Sequence, residues 1–159
     1  MHKITFSLGN IDDGIRQFEE YEKKVEQNIK DFLEKLLADG VEIAKATIVD
    51  LDAVESTDLY NSLQYTLYKE GSKGIIFTDS LHACFVEFGT GVKGANNSHP
   101  TMPWDYDTNG HGEDGWYYFD EKQSRVRYTQ GMPSRPFMYT TAKELERIAV
   151  KTAREVFSR

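Results

Sequence analysis

His82, Cys84, His99 and His111 are the side chains best suited to hold a metal ion, because imidazole and thiolate are good zinc ligands. Their spacing follows no established ligand motif. On a strand His82 and Cys84, two apart, would share a face, but two ligands do not close a site. The three histidines are therefore expected to lie apart, in structural or incidental roles, with no metal bound. Asp105, Asp107, Asn109 and Glu113 place oxygens on alternate residues as a calcium loop does, with Gly110 at the sixth position. The twelfth position is Trp116, where that loop needs a bidentate glutamate. A solvated acidic loop is the preferred reading.

Nucleophilic chemistry has no better footing. The chain holds no nucleophile elbow, P-loop or dinucleotide fingerprint, and Gly89-Thr90-Gly91 is too short to cradle a phosphate. Cys84, beside Phe85, reads as a small buried residue and not as a nucleophile. No catalytic residue and no cofactor are expected. Trp104, Tyr106, Trp116, Tyr117, Tyr118 and Phe119 crowd one region. Aromatics interleaved with cations can stack unpaired bases, but here the neighbours are mainly acidic. Packing in a core or at a protein interface fits better, with Trp104, Tyr106, Trp116 and Tyr117 as the candidate interface loop.

The totals bound what such residues can serve. A chain of 159 residues suits one compact domain, and 39% hydrophobic with 13% aromatic residues is enough apolar material to fold it. The net charge of −7 and a pI near 5.1 exclude a broadly cationic surface that captures nucleic acid nonspecifically. An acidic wall would instead suit a conduit through which DNA slides. Cys84 is the single cysteine, which excludes an intramolecular disulfide and any multi-cysteine zinc site. Met1 to Leu8 lacks the apolar stretch of a signal peptide, and no run approaches the roughly 18 apolar residues that span a bilayer. The reading is a soluble protein made in a cytoplasm, with no membrane partner.

The elements that must position these residues follow from periodicity. Ile4, Phe6 and Leu8 alternate as in a short strand. Gly9, Asn10, Asp12 and Asp13 then supply turn and capping chemistry. From Ile15 to Ile48 the apolar residues Ile15, Phe18, Val25, Ile29, Phe32, Leu36, Val41, Ala44 and Ile48 recur mostly three or four apart, which predicts one helical stripe. Asp39 and Gly40 interrupt it, yet one long helix is preferred. Ser56, Thr57 or Asp58 caps a short turn through Leu63. Gln64 to Lys69, with Tyr65, Leu67 and Lys69 sharing a face, pairs across Glu70 to Gly74 with a strand from Ile75 to Phe77. Leu81 to Phe88 reads as a helical turn feeding a strand. Gly89 to Gly115 reads as a long loop, a segment that orders on meeting a partner. Trp116 to Phe119 and Val126 to Tyr128 predict a second hairpin, and Tyr139 to Phe157 a closing helix whose Leu145, Ile148, Ala149, Thr152, Ala153 and Val156 share a face. The predicted fold is one α+β domain over residues 1–159: a small antiparallel sheet packed with a long N-terminal helix and a C-terminal helix, carrying a loop insertion at about 89–115.

Two segments also carry a family likeness. One runs His82-Ala83-Cys84-Phe85-Val86-Glu87-Phe88-Gly89-Thr90-Gly91; the other is Met132-Pro133-Ser134-Arg135-Pro136-Phe137-Met138, leading into the last helix. Together they resemble the phage head-to-tail joining family, whose members are also labelled neck proteins, minor tail proteins or tail components of tailed bacteriophages and prophages. The family pattern is an aromatic and a valine, then Glu-Phe-Gly-Thr, and later a Pro-Phe entering the terminal helix. Val86 to Thr90 and Pro136 to Phe137 match it, while Val92 to Gly115 is the least family-like stretch. Independently of the family, Gly89 and Gly91 permit positive φ and so can end an apolar strand sharply. Pro136 restricts Arg135 to extended geometry and sets the angle of the final helix.

The resemblance implies a homo-oligomeric ring in the virion neck, assembled in the bacterial host cytoplasm and joining the DNA-filled head to the tail. Its neighbours would be a portal-side adaptor and a tail terminator or tail tube. Genomic DNA would pass through the channel without specific binding, and no reaction is implied. The long loop and a charged helix face are expected to make subunit contacts, with acidic side chains lining the channel. The rival reading is a prophage-encoded regulator that binds a host protein without catalysis, in a one-to-one complex and not a ring.

Overall fold

The computed structural model of the chain describes residues 9, 11–53, 57–101, 114–121 and 123–158. The order of elements is α1 (Ile11–Asp50), α2 (Thr57–Ser62), β1 (Gln64–Tyr68), β2 (Lys73–Phe77), α3 (Ala83–Phe88), α4 (Gly91–Asn96), β3 (Trp116–Asp120), β4 (Arg125–Thr129) and α5 (Phe137–Phe157). The fold is α+β. Its strands form two separate two-stranded antiparallel sheets, β1-β2 and β3-β4, where a single small sheet is expected from the sequence. The strand predicted over Ile4 to Leu8 lies outside the described residues. Among the described residues no helix is long and apolar enough to cross a membrane.

The contacts gather in two compact units. The first comprises α1 up to Glu42, the β1-β2 hairpin, and α5 from Glu144 onward. Leu37, Val41, Thr152 and Val156 are buried here, and the rings of Phe32 and Phe157 meet edge to face at 6.5 Å. Gly40 does not break α1. A Cβ at that position would stand 2.4 Å from Ile76 Cδ1 and 3.0 Å from Leu145 Cδ1, so the glycine is what lets the hairpin and α5 close on the helix. The roughly 1 kcal/mol that glycine loses against alanine inside a helix is offset by that approach. Lys69 is not on the strand face expected for it. It begins a tight turn, Lys69–Gly71, with φ 47° at Lys69 and 58° at Glu70, because closing the Tyr68↔Lys73 pair needs left-handed residues that match the strand twist.

The second unit comprises Ile43–Leu63 and Thr78–Lys143. Its buried apolar residues include Ala44, Ile48, Leu59, Leu63, Val86 and Phe137. Here α1 ends in a Schellman arrangement: Ala53 N–H donates to Ile48 O at 2.9 Å and Asp52 N–H to Val49 O at 3.0 Å, with Asp52 left-handed at φ 50°. Ser62 and Thr78 share a hydroxyl hydrogen bond of 2.5 Å, tying the end of α2 to the segment after β2.

Two further expectations are corrected. Leu81 to Phe88 does not feed a strand: it forms α3, so Gly89 ends a helix. The loop predicted from Gly89 is helical from Gly91 to Asn96, and its 102–113 stretch lies outside the described residues. The apolar stripe of α1 is buried only towards its C-terminal end, at Val41, Ala44 and Ile48, with Leu37 buried where Leu36 is expected and Leu36 half-buried, whereas Ile15, Phe18 and Ile29 of the stripe are exposed.

Candidate functional site

The two likeness-bearing segments meet. Thr90 and Met132 form a reciprocal backbone bridge, with Thr90 N–H to Met132 O at 2.9 Å and Met132 N–H to Thr90 O at 3.2 Å. Arg135 N–H donates to Val86 O at 2.8 Å, Ser134 N–H to Asn97 O at 3.1 Å, and the Ser134 hydroxyl to Glu87 O at 2.6 Å. Gly89, at φ 79°, lies where a Cβ would stand 2.6 Å from Ser134 N and 2.8 Å from Met132 O, so only glycine permits the two backbones to lie this close.

Glu87 is the centre of this junction. It is 7% exposed, a depth at which a carboxylate persists only when its oxygens are satisfied. Oε2 accepts the Met138 N–H at 2.8 Å and Oε1 accepts the Tyr139 N–H at 2.9 Å. These are the second and third residues of α5, whose first amides have no carbonyl partner within the helix. The residue before α5 is Pro136, which has no side-chain acceptor, so a glutamate from α3 does the work a local Ser, Asp or Asn would do. Its negative charge also sits at the positive end of the helix dipole.

His99 completes the arrangement. Its Nδ1 accepts the Thr101 N–H at 3.3 Å, and the Thr101 hydroxyl lies 3.1 Å from the same atom. A nitrogen that accepts a backbone N–H carries no hydrogen, so the ring hydrogen sits on Nε2, which donates to Glu87 Oε1 at 3.1 Å. The imidazole packs against Phe88 at 4.9 Å and Tyr139 at 5.4 Å between ring centres. Both histidine nitrogens and both glutamate oxygens are thus engaged inside the protein. The pair has the composition of an acid–base couple but the connections of a structural clamp.

No protein-family model, curated protein or solved structure matches the chain. What the chain does is argued below from its own geometry.

The remaining sequence-predicted residues separate. His82 is exposed ahead of α3, and His111 lies outside the described residues, as do Trp104, Tyr106, Asp105, Asp107, Asn109 and Glu113. Cys84 is exposed and not buried as its type suggested, because the buried positions of α3 are Ala83, Val86 and Glu87. Nor does it pair with His82 on a strand face, since both sit at the start of a helix. Among the described residues no group of three or more His, Cys, Asp or Glu is placed to hold a metal ion. Trp116 is half-buried against Gly91, while Tyr117 is fully displayed on β3. Sequence reasoning did not assign His99 to Glu87. The signal was Glu87 itself, the one carboxylate in the apolar run of α3, which needs buried donors somewhere in the fold.

Proposed function

We propose that the chain is a non-catalytic structural protein of the bacteriophage neck, one subunit of an oligomeric ring that joins the DNA-filled head to the tail. The observation that carries this reading is the Glu87 clamp. The glutamate of Glu-Phe-Gly-Thr holds the first amides of the helix that the Pro-Phe segment opens, so the two parts of the family-like pattern act as one device. No reaction belongs to this reading, since the buried carboxylate and imidazole are occupied by amide and hydroxyl partners. In this role the subunit would sit between a portal-side adaptor and a tail terminator or tail tube, with genomic DNA passing nearby.

The test is electron microscopy of lysates from a phage or prophage lacking the gene, with complementation as control. Separate full heads and tails that rejoin on complementation are the expected result. Intact infectious particles would remove the connector role and favour a prophage-encoded regulator bound one-to-one to a host protein.

A further inference from the structure

The two nitrogens of His99 do opposite jobs. Nε2 donates to Glu87 Oε1 at 3.1 Å, while Nδ1 accepts from the Thr101 N–H at 3.3 Å and lies 3.1 Å from the Thr101 hydroxyl. This arrangement exists only for a neutral ring, because a protonated imidazole donates from both nitrogens. The side chain is 5% exposed, so a donor stranded there has little water to turn to. Three parts of the chain pack against the ring. From α3 come the Glu87 carboxylate and the Phe88 ring at 4.9 Å. From α5 comes Tyr139 at 5.4 Å, with Lys143 Nζ lying over the tyrosine ring 5.9 Å from its centre. The segment after α4 supplies Thr101.

The two Thr101 groups respond differently to a proton on Nδ1. A backbone N–H can only donate, so it loses its acceptor and faces a second donor. A hydroxyl can turn, and at 3.1 Å Thr101 Oγ1 is within reach of the new Nδ1–H. Nε2 meanwhile keeps its hydrogen and its partner, and its bond to Glu87 then joins two charges and strengthens. The Tyr139 and Met138 amides stay on Glu87 Oε1 and Oε2.

We infer that His99 is a proton-operated switch: the neutral ring ties down the Thr101 backbone, and the charged ring exchanges that amide for the Thr101 hydroxyl while α5 remains capped by Glu87. Acid thus loosens the chain at Thr101 without opening the helix cap. The switch is built from this junction alone and does not depend on the neck role.

Nuclear magnetic resonance of the isotope-labelled chain from about pH 8 to about pH 5.5, within the range where histidines change charge, tests it. As the pH falls, the Nδ1 signal should change from that of a bare nitrogen to that of a protonated one. In the same transition the protection of the Thr101 amide, corrected for the pH dependence of hydrogen exchange itself, should fall about threefold to tenfold, the worth of one neutral hydrogen bond. The Met138 and Tyr139 amides should keep their protection. His99→Gln, which retains a side-chain N–H but does not titrate here, should show a Thr101 amide indifferent to pH. Thr101→Val, a change at an exposed residue, removes the hydroxyl acceptor and should require more acid for the same ring transition. A ring that stays neutral across the range, a Thr101 amide that does not follow the ring, Met138 and Tyr139 amides lost in the same step, or a pH-dependent Thr101 amide in His99→Gln overturns the switch. Thr101→Val behaving as wild type overturns the hydroxyl's part in it.

Discussion

Glu87→Ala is expected to destabilise the chain by about 3–5 kcal/mol, the range for removing one partner of a buried, charge-assisted cluster. Three donors lose their acceptor at once: the Met138 and Tyr139 amides and His99 Nε2. Each buried donor left without a partner costs about 1–3 kcal/mol, partly relieved where water can enter. For a chain of this size the expected drop in Tm is about 6–20 °C. Glu87→Gln should fall between, since its amide carbonyl can still accept but the charge is lost and the NH2 group faces other donors. His99→Ala, which keeps the Met138 and Tyr139 amides on Glu87 but removes the acceptor of the Thr101 N–H, should cost about 1–3 kcal/mol. Urea unfolding followed by circular dichroism measures all three. A Glu87→Ala chain that unfolds within about 0.5 kcal/mol of wild type would show that the clamp does not hold the fold.

Gly89→Ala is the second large effect. Gly89 has φ 79° and ψ 175°, a region essentially reserved for glycine, which alone costs an alanine about 1–3 kcal/mol. The added Cβ would also meet Ser134 N at 2.6 Å, Met132 O at 2.8 Å and Pro133 C at 2.9 Å. All three are backbone atoms, so no side chain can swing away. A total of about 3 kcal/mol or more is expected, with the family-like segments forced apart. Gly9→Ala is the control: among the described residues its Cβ meets only Asp13 Oδ2, at 3.5 Å, and its change should stay within about 0.5 kcal/mol. Combining Gly89→Ala with Glu87→Ala should cost less than the sum of the two, because both substitutions damage the same junction.

Local patterns in the sequence account for much of the fold. The helical spacing of α1, the alternation in both hairpins and the apolar face of α5 are properties of neighbouring residues, and each element forms close to where its pattern lies. Boundaries were missed where the deciding group is remote. α5 begins at Phe137 and not Tyr139, because its first amides are capped from Glu87, about fifty residues upstream, and nothing next to Pro136 in the chain announces a cap. Leu81 to Phe88 is apolar enough for a strand, but its buried Ala83, Val86 and Glu87 fall at a helical interval and its backbone is held by Arg135. The spacing of the α1 stripe was legible from the sequence, but not which part of it would be covered. Gly40 interrupts the α1 pattern in the sequence because a local propensity scale cannot register that Ile76 and Leu145 require the space.

The remote cap also orders the events of folding. A helix whose N-terminus is closed by its own neighbouring residue can nucleate as soon as that residue is in place. α5 has no such neighbour at Pro136, so its first turn gains its acceptor only after the chain between Glu87 and Met138 has looped back, and that closure carries an entropy that local helix formation avoids. The bodies of the helices can form early from nearby contacts, whereas the 87–138 junction belongs to the late, long-range steps that slow folding. Glu87 therefore acts as a latch of the second unit, one that a distant part of the chain must bring to the helix it closes.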